Sequence, residues 1–342
     1  MRVNKIPYLF IAFITLSAAF YVKNDKTKFV IPKGWPKPHY YFKNNPLTLQ
    51  GFELGKQLFY DPILSSDSTI NCASCHLSFT AFTHADHRVS HGIQGLLGTR
   101  NSPTLINLAW NTSFMWDGSV TNLEEQVINP ITNPVEMNSK LSDVIVRLNK
   151  SHTYKMLFYK VFNDSLITTQ NLFKSLAQFT GNLVSCNSKY DSIMRKEKNV
   201  AFTVNELNGY NLFKKNCASC HAEPLFTNYS FENNGLAMDS ALKDIGRMKI
   251  TNNATDSLKF KVPTLRNIEF SAPYFHDGRF NKLKEAIEHY TSGIVDSPTL
   301  AKQLKNKINL TKEEKKDLLA FLKTLTDKPF LYNIQFRQKV SS

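Results

Sequence analysis

Cys72-Ala73-Ser74-Cys75-His76 occurs twice in this chain, returning letter for letter as Cys217-Ala218-Ser219-Cys220-His221. Two thiols three positions apart can add to the two vinyl groups of one haem, and the histidine that follows is held against the iron as axial ligand. Each copy is therefore expected to carry one covalent c-type haem, ligated by His76 and His221. Two Cys-x-x-Cys pairs could instead close a four-cysteine zinc site, or each could be a redox dithiol. Neither alternative accounts for a histidine directly after both pairs. A zinc ribbon also brings its pairs about 15–20 residues apart, far closer than these.

Working outward, both motifs have the same lead-in. Leu49, Phe52, Leu58 and Phe59 recur at helical spacing before Asp61-Pro62, and Thr203 with Glu206 forms a capping box ahead of Leu207, Tyr210 and Phe213. The likeness continues downstream. Gly55-x-x-Leu58-Phe59 answers Gly209-x-x-Leu212-Phe213, Pro103-Thr104-Leu105-x-Asn107 answers Pro263-Thr264-Leu265-x-Asn267, and Trp116-Asp117-Gly118 answers His276-Asp277-Gly278, the last two blocks at identical spacing. An internal duplication follows. The expected fold is mostly α, with two cytochrome-c-like haem domains, residues 25–190 and 191–342, meeting in the Lys-rich stretch Asn187–Asn199. The proline-rich segment from Phe29 to Pro46 is expected to be an extended arm.

The 342 residues exceed one ordinary domain, which agrees with two. Arg2 and Lys5, then an apolar run from Ile6 to Val22, read as an export signal in residues 1–24. Cleavage after Ala19 and retention as a membrane anchor both remain open. Export to the periplasm suits c-type haem, which bacteria attach outside the cytoplasmic membrane. Four of the five cysteines are claimed by the haems, leaving Cys186, which closes the apolar run Leu172–Val184 and reads as a buried, inert thiol. The net charge of +14 could steer an acidic redox partner. No nucleic-acid motif is present.

The two copies differ where chemistry is expected. Trp116 stands where the second copy has His276, and Pro130 stands where it has Tyr290. Proline cannot ligate iron and tyrosine can. If this register covers the distal face of each haem, the first iron keeps an open position and the second is closed by a phenolate.

From about Pro32 onward the chain resembles the bacterial di-haem cytochrome c peroxidase and MauG family. The strings that carry the resemblance are Asn45-Pro46-Leu47-Thr48, Arg100-Asn101-Ser102-Pro103-Thr104, Phe114-Met115-Trp116-Asp117-Gly118, Pro134-Val135-Glu136-Met137, Phe260-Lys261-Val262-Pro263-Thr264 and Ala272-Pro273-Tyr274-Phe275-His276-Asp277-Gly278. The resemblance implies a peroxide-binding haem in the first domain, an electron-transfer haem in the second and a calcium ion between them. It makes Trp116 the relay between haems and Gln126 and Glu136 the distal-pocket pair. Calcium would be held by the Asn101 side chain and the Ser271 and Pro273 carbonyls, oxygen donors of the kind a hard cation needs.

Two positions depart from the peroxidase pattern. Ile93 replaces the removable distal histidine of many members, with His84, His87 and His91 nearby as alternative ligands. Tyr290 replaces the second haem's methionine, as in MauG-like members, with His289 beside it as a competitor. The expected activity is reduction of hydrogen peroxide with electrons from a small redox protein such as a c-type cytochrome. A MauG-type oxidase modifying a partner protein and a non-catalytic electron carrier or redox sensor are the alternatives. A homodimer is one assembly open to the chain.

Overall fold

The computed structural model describes residues 29–338. The export signal read from residues 1–24 lies outside them, and among the described residues no helix is long and apolar enough to cross a membrane. The fold is mostly helical, built from α1 (Leu49–Tyr60), α2 (Ile128–Thr132), α3 (Leu141–Lys150), α4 (His152–Phe162), α5 (Thr169–Thr180) and α6 (Lys189–Met194) in the first stretch. The second holds α7 (Val204–Asn216), α8 (Met248–Thr251), α9 (Leu283–Glu288), α10 (Lys312–Lys323) and α11 (Lys328–Leu331). A short antiparallel ribbon pairs Phe231–Glu232 with Phe260–Lys261.

Two hydrophobic cores repeat one plan. In the first, α1 packs on α5 through Phe52, Leu58, Phe59, Leu176 and Phe179. In the second, α7 packs on α10 through Phe213, Leu318, Phe321 and Leu322. Glycine fixes both crossings. A Cβ on Gly55 would lie 2.0 Å from the Ser175 carbonyl oxygen, and one on Gly209 would lie 2.0 Å from that of Asp317, so any side chain would drive the helix backbones apart. The second lead-in helix begins as expected, with Thr203 and Glu206 capping reciprocally, and in the first Thr48 accepts from the Gly51 N–H. Each such cap contributes about 1 kcal/mol. Leu49, counted on the apolar face of α1, is exposed, while Leu54 is buried in its place.

The duplication runs deeper than the matched letters. Asn107 and Asn267 are both left-handed, at φ 57° and 58°, and each opens a 3-10 turn. Their N–H groups donate to the carbonyls of Leu183 and Leu325, just past the ends of α5 and α10. Their side-chain oxygens accept from the N–H groups of Ser185 and Asp327. Each asparagine thus pins the loop carrying the motif's partner block to its own helix pair.

The stretch Asn187–Asn199 is not merely polar. Ser188 and Asp191 cap α6 reciprocally, and the fully buried Arg266 makes a bidentate pair with Asp191 at 2.7 and 2.9 Å. Breaking such a pair by removing one partner costs about 3–5 kcal/mol. Arg266 also lies over Trp35 of the N-terminal arm, 4.6 Å from its ring centroid. That arm, helix-free as its prolines require, packs Phe29 and Trp35 on Trp110. The chain's tail returns to the first core, where Phe330 and Leu331 are buried and the Tyr60 hydroxyl donates to the Phe336 carbonyl. Cys186 is half-buried and lies beyond α5, which ends at Thr180, rather than closing a helix; burial raises its thiol to about 11.

Gly209→Ala is expected to lower stability by about 1–3 kcal/mol through this helix–helix clash. Thermal or urea unfolding of the haem-loaded protein reads the effect, and an unchanged midpoint would mean the crossing tolerates a methyl group.

Candidate functional site

Both pentapeptides adopt the same turn. The N–H groups of Cys75 and His76 donate to the Cys72 carbonyl at 3.2 and 3.0 Å, and those of Cys220 and His221 to the Cys217 carbonyl at 3.2 and 2.9 Å. Each turn therefore presents two sulfurs and one imidazole from a single loop. His76 donates Nδ1–H to the Phe82 carbonyl at 2.7 Å, and His221 places Nδ1 3.1 Å from the carbonyls of Phe226 and Pro263. This tautomer leaves Nε2 as the free lone pair, the arrangement an axial ligand needs. Burial lowers both imidazoles to about 4, keeping them neutral. Cys72 packs against the first core and Cys217 against the second, so the four thiols do not converge on one tetrahedron. The donor set fits two c-type haems, one per half.

In the second half, Cys217, Cys220, His221 and Tyr290 line one large, mostly apolar cavity, bounded also by Leu283, Ile287 and Leu318. Burial raises the Tyr290 hydroxyl well above the usual phenol range, opposed by a hydrogen bond from Asn234, and both Cys217 and Cys220 act on it. His289 turns away. It is buried, and its Nε2 lies 2.9 Å from the Asn234 carbonyl. Both residues occupy a π-helical turn, His289–Gly293, that continues α9. Asn234 was invisible to sequence reasoning because nothing in a lone loop asparagine signals that it sorts these two side chains.

In the first half, Glu136 lies close enough to Cys72 and Cys75 to raise both thiols further, on top of burial. Burial also raises the Glu136 carboxyl itself, while Asn133 donates to its Oε1 at 2.8 Å. Ile93 lies against this segment, its N–H donating to the Glu136 carbonyl at 2.8 Å, and Gly92 leaves no room for a Cβ against the same backbone. Gln126 is buried on the turn Glu125–Val127, but the side-chain partner of Glu136 is Asn133. Pro130 sits in α2, where its carbonyl accepts from the Met137 N–H.

Trp116 lines the cavity, with its Nε1–H on the Asn101 carbonyl at 2.8 Å and its ring 6.5 Å from His276. His276 stacks on Phe260 at 3.5 Å, giving a run of three aromatic rings where the halves meet. Asn101, Ser271 and Pro273 line the same cavity. Asn101 Nδ2 donates to the Arg88 carbonyl at 3.2 Å, which leaves its Oδ1 available to a cation. Around this junction Arg100 joins Asp117 to Asp244, and Arg88 pairs with Asp239 and Asp277. The duplicated aspartates Asp117 and Asp277 are thus both arginine-bound. Lys261 also lines the cavity, and burial lowers its ammonium to about 8.

The family model described as di-haem cytochrome c peroxidase matches residues 49–199, and a cytochrome c model matches residues 207–326. The chain is 35% identical over 312 residues to the methylamine utilization protein MauG of Methylophilus methylotrophus, covering 88% of each chain. It is 39% identical over 284 residues to the cytochrome c551 peroxidase of Nitrosomonas europaea, covering 81% of this chain and 80% of that one. Among solved structures, a MauG-like protein associated with microbial copper homeostasis matches with a TM-score of 0.80 and 31% identity, covering 91% of this chain and 99% of that one. Fold and site define a two-domain c-type haem oxidoreductase. The chain belongs to the di-haem cytochrome c peroxidase and MauG family.

Pyridine haemochrome analysis is expected to give two haems per chain, falling to one in a Cys217→Ala, Cys220→Ala double variant. Two haems in that variant would mean that the second motif does not attach one.

Proposed function

We propose that the chain is an exported, periplasmic di-haem peroxidase that reduces hydrogen peroxide to water with electrons from a small redox protein such as a c-type cytochrome. What carries this reading is the partly buried Glu136, close enough to Cys72 and Cys75 to act on both thiols, with the Ile93 N–H donating to its carbonyl. Reduction of H2O2 to two waters consumes two protons and two electrons, so the site must move protons and admit electrons. Haem supplies, when bound, an iron that takes a peroxide oxygen and passes electrons to it. Glu136 takes the proton from the oxygen that binds and returns it to the oxygen that leaves. Asn133 holds the carboxylate in place, and Gln126 completes the pocket. Trp116, with His276 and Phe260 beside it, offers the aromatic path between the halves.

In this reading Tyr290 would ligate the second iron when haem is bound. It lines the cavity with His221, whereas His289 is engaged with Asn234. A phenolate favours oxidised iron. Calcium, when bound, would take Asn101 Oδ1 and the Ser271 and Pro273 carbonyls and tie the halves together. Tyr290 and the MauG relatives also favour a second reading, oxidation of residues on a partner protein. Steady-state peroxide consumption with reduced c-type cytochromes separates the two; no turnover with any donor would support the MauG-type reading.

Glu136→Gln keeps shape and hydrogen bonding but removes the proton carrier, and is expected to slow the peroxide reaction by about 10²–10⁴ with both haems retained. Burial raises the Glu136 pKa, so the base form is lost as pH falls through that raised value. The rate should therefore decline toward acid pH from above the ordinary carboxylate range, and this limb should vanish in the variant. A limb that persists assigns the proton transfer elsewhere.

Tyr290→Phe is expected to change the second haem's spin state and potential. An electron paramagnetic spectrum identical to the parent's would move the ligand to another residue.

A further inference from the structure

His84, His87 and His91 stand together on an irregular loop, spaced His-x-x-His-x-x-x-His. Their ligand nitrogens all lie within 4.8 Å of one another, the grouping of this kind found among the described residues. Ring centroids are 4.8 Å apart for His84–His87 and His84–His91, and 4.6 Å for His87–His91. His84 is only 4% exposed, yet its Nδ1 has no hydrogen-bond partner. Three imidazoles gathered around a buried, unpartnered nitrogen offer lone pairs to a cation.

The loop is built to hold them. One end is fixed where the Leu77 N–H donates to the Thr83 carbonyl at 2.9 Å, and the other where His91 bridges Leu97. Between them Arg88 is clamped. Its guanidinium reaches Asp239 and Asp277, its carbonyl accepts from Asn101, and the missing Cβ of Gly278 makes room for it. Asp86, on the same loop, is the nearby carboxylate that acts on His84.

We propose that His84, His87 and His91 bind a divalent first-row transition cation of the zinc(II) type, separate from both haem irons and from the calcium donors. Neutral imidazole suits Zn, Cu and Ni, whereas calcium and magnesium require oxygen donors. Zinc–nitrogen bonds of about 2.0–2.1 Å place tetrahedral ligands about 3.3 Å apart, a closure that ring rotation can supply. Three protein ligands leave a fourth position for water.

The site's place gives it a consequence. His84 lies two residues after Phe82, whose carbonyl supports His76. His91 lies two residues before Ile93, which covers Glu136, and the His91 carbonyl is 3.3 Å from Cys75 Sγ. A cation joining His84 to His91 staples the segment that runs from the support of the first motif to the cover over Glu136.

The test titrates zinc(II), which is redox-silent, into chelator-washed protein carrying both haems. Calorimetry and equilibrium dialysis should give one zinc per chain, and zinc-edge X-ray absorption should show three imidazole ligands. His87→Ala alters an exposed ring and is expected to weaken binding by more than about 100-fold, His91→Ala likewise, while His152→Ala on α4 leaves it unchanged. The visible and electron paramagnetic spectra of the haems should be the same in His87→Ala as in the parent. The proposal is overturned if the parent takes up no zinc beyond the His87→Ala variant. It is equally overturned if His87→Ala or His91→Ala alters the first haem's spin state, since the imidazole is then an iron ligand.

Discussion

The histidine of each motif rests on the carbonyl of a left-handed residue. Phe82 and Phe226, which accept from His76 and His221, sit at φ 58° and 54°. For a bulky non-glycine residue this costs on the order of 1–2 kcal/mol, so the surroundings must impose it. They do so through the same kind of bond in both halves. Thr104 donates to the Ala81 carbonyl at 2.5 Å, and Thr264 donates to the Leu225 carbonyl at 2.6 Å, each fixing the peptide just before the strained phenylalanine. These threonines belong to the repeated Pro-Thr-Leu block, whose asparagines are in turn tied to the ends of α5 and α10. The imidazole, the strained turn, the threonine and the helix pair form one chain of constraints. It explains why those letters recur together.

On this shared frame the halves diverge in the segments that follow the repeated Asp-Gly pair. The second half continues α9 into a π-turn that brings Tyr290 to the cavity and gives His289 to Asn234. The first half has Pro130 at that register and spends the following segment differently. Residues 133–137 turn back so that Glu136 faces the cysteines, and the Gly92–Ile93 loop closes on its backbone. A carboxylate, Glu136, thus stands near the first motif where the second half brings a phenol. At the junction the copies combine, with Trp116 from one and His276 from the other side by side among arginine–aspartate pairs that draw on both halves.

Much of this was legible in the sequence because covalent chemistry and duplication leave literal signals. The pentapeptides, the Thr203–Glu206 capping box and the paired glycines are local requirements, and each appears where its letters place it. What remained hidden depends on tertiary partners. Arg266 and Asp191 look like surface charges, but they meet in the interior and draw the Lys-rich stretch into a packed helix. The return of Phe330 and Leu331 to the first core has no local signature. The engagement of His289 with the loop residue Asn234 has no local signature either. His84, His87 and His91 were visible as neighbours of Ile93, but their convergence needed the clamp on Arg88.

The central claim is that the first haem is open in the oxidised protein, since Ile93 and Pro130 provide no ligand opposite His76. Electron paramagnetic resonance of the fully oxidised protein, followed by mixing with peroxide, tests it directly. The account predicts one high-spin haem beside one low-spin haem, and reaction with peroxide without added reductant. Two low-spin haems, with reactivity appearing only after one-electron reduction, would show that a nearby side chain closes the site and would contradict it.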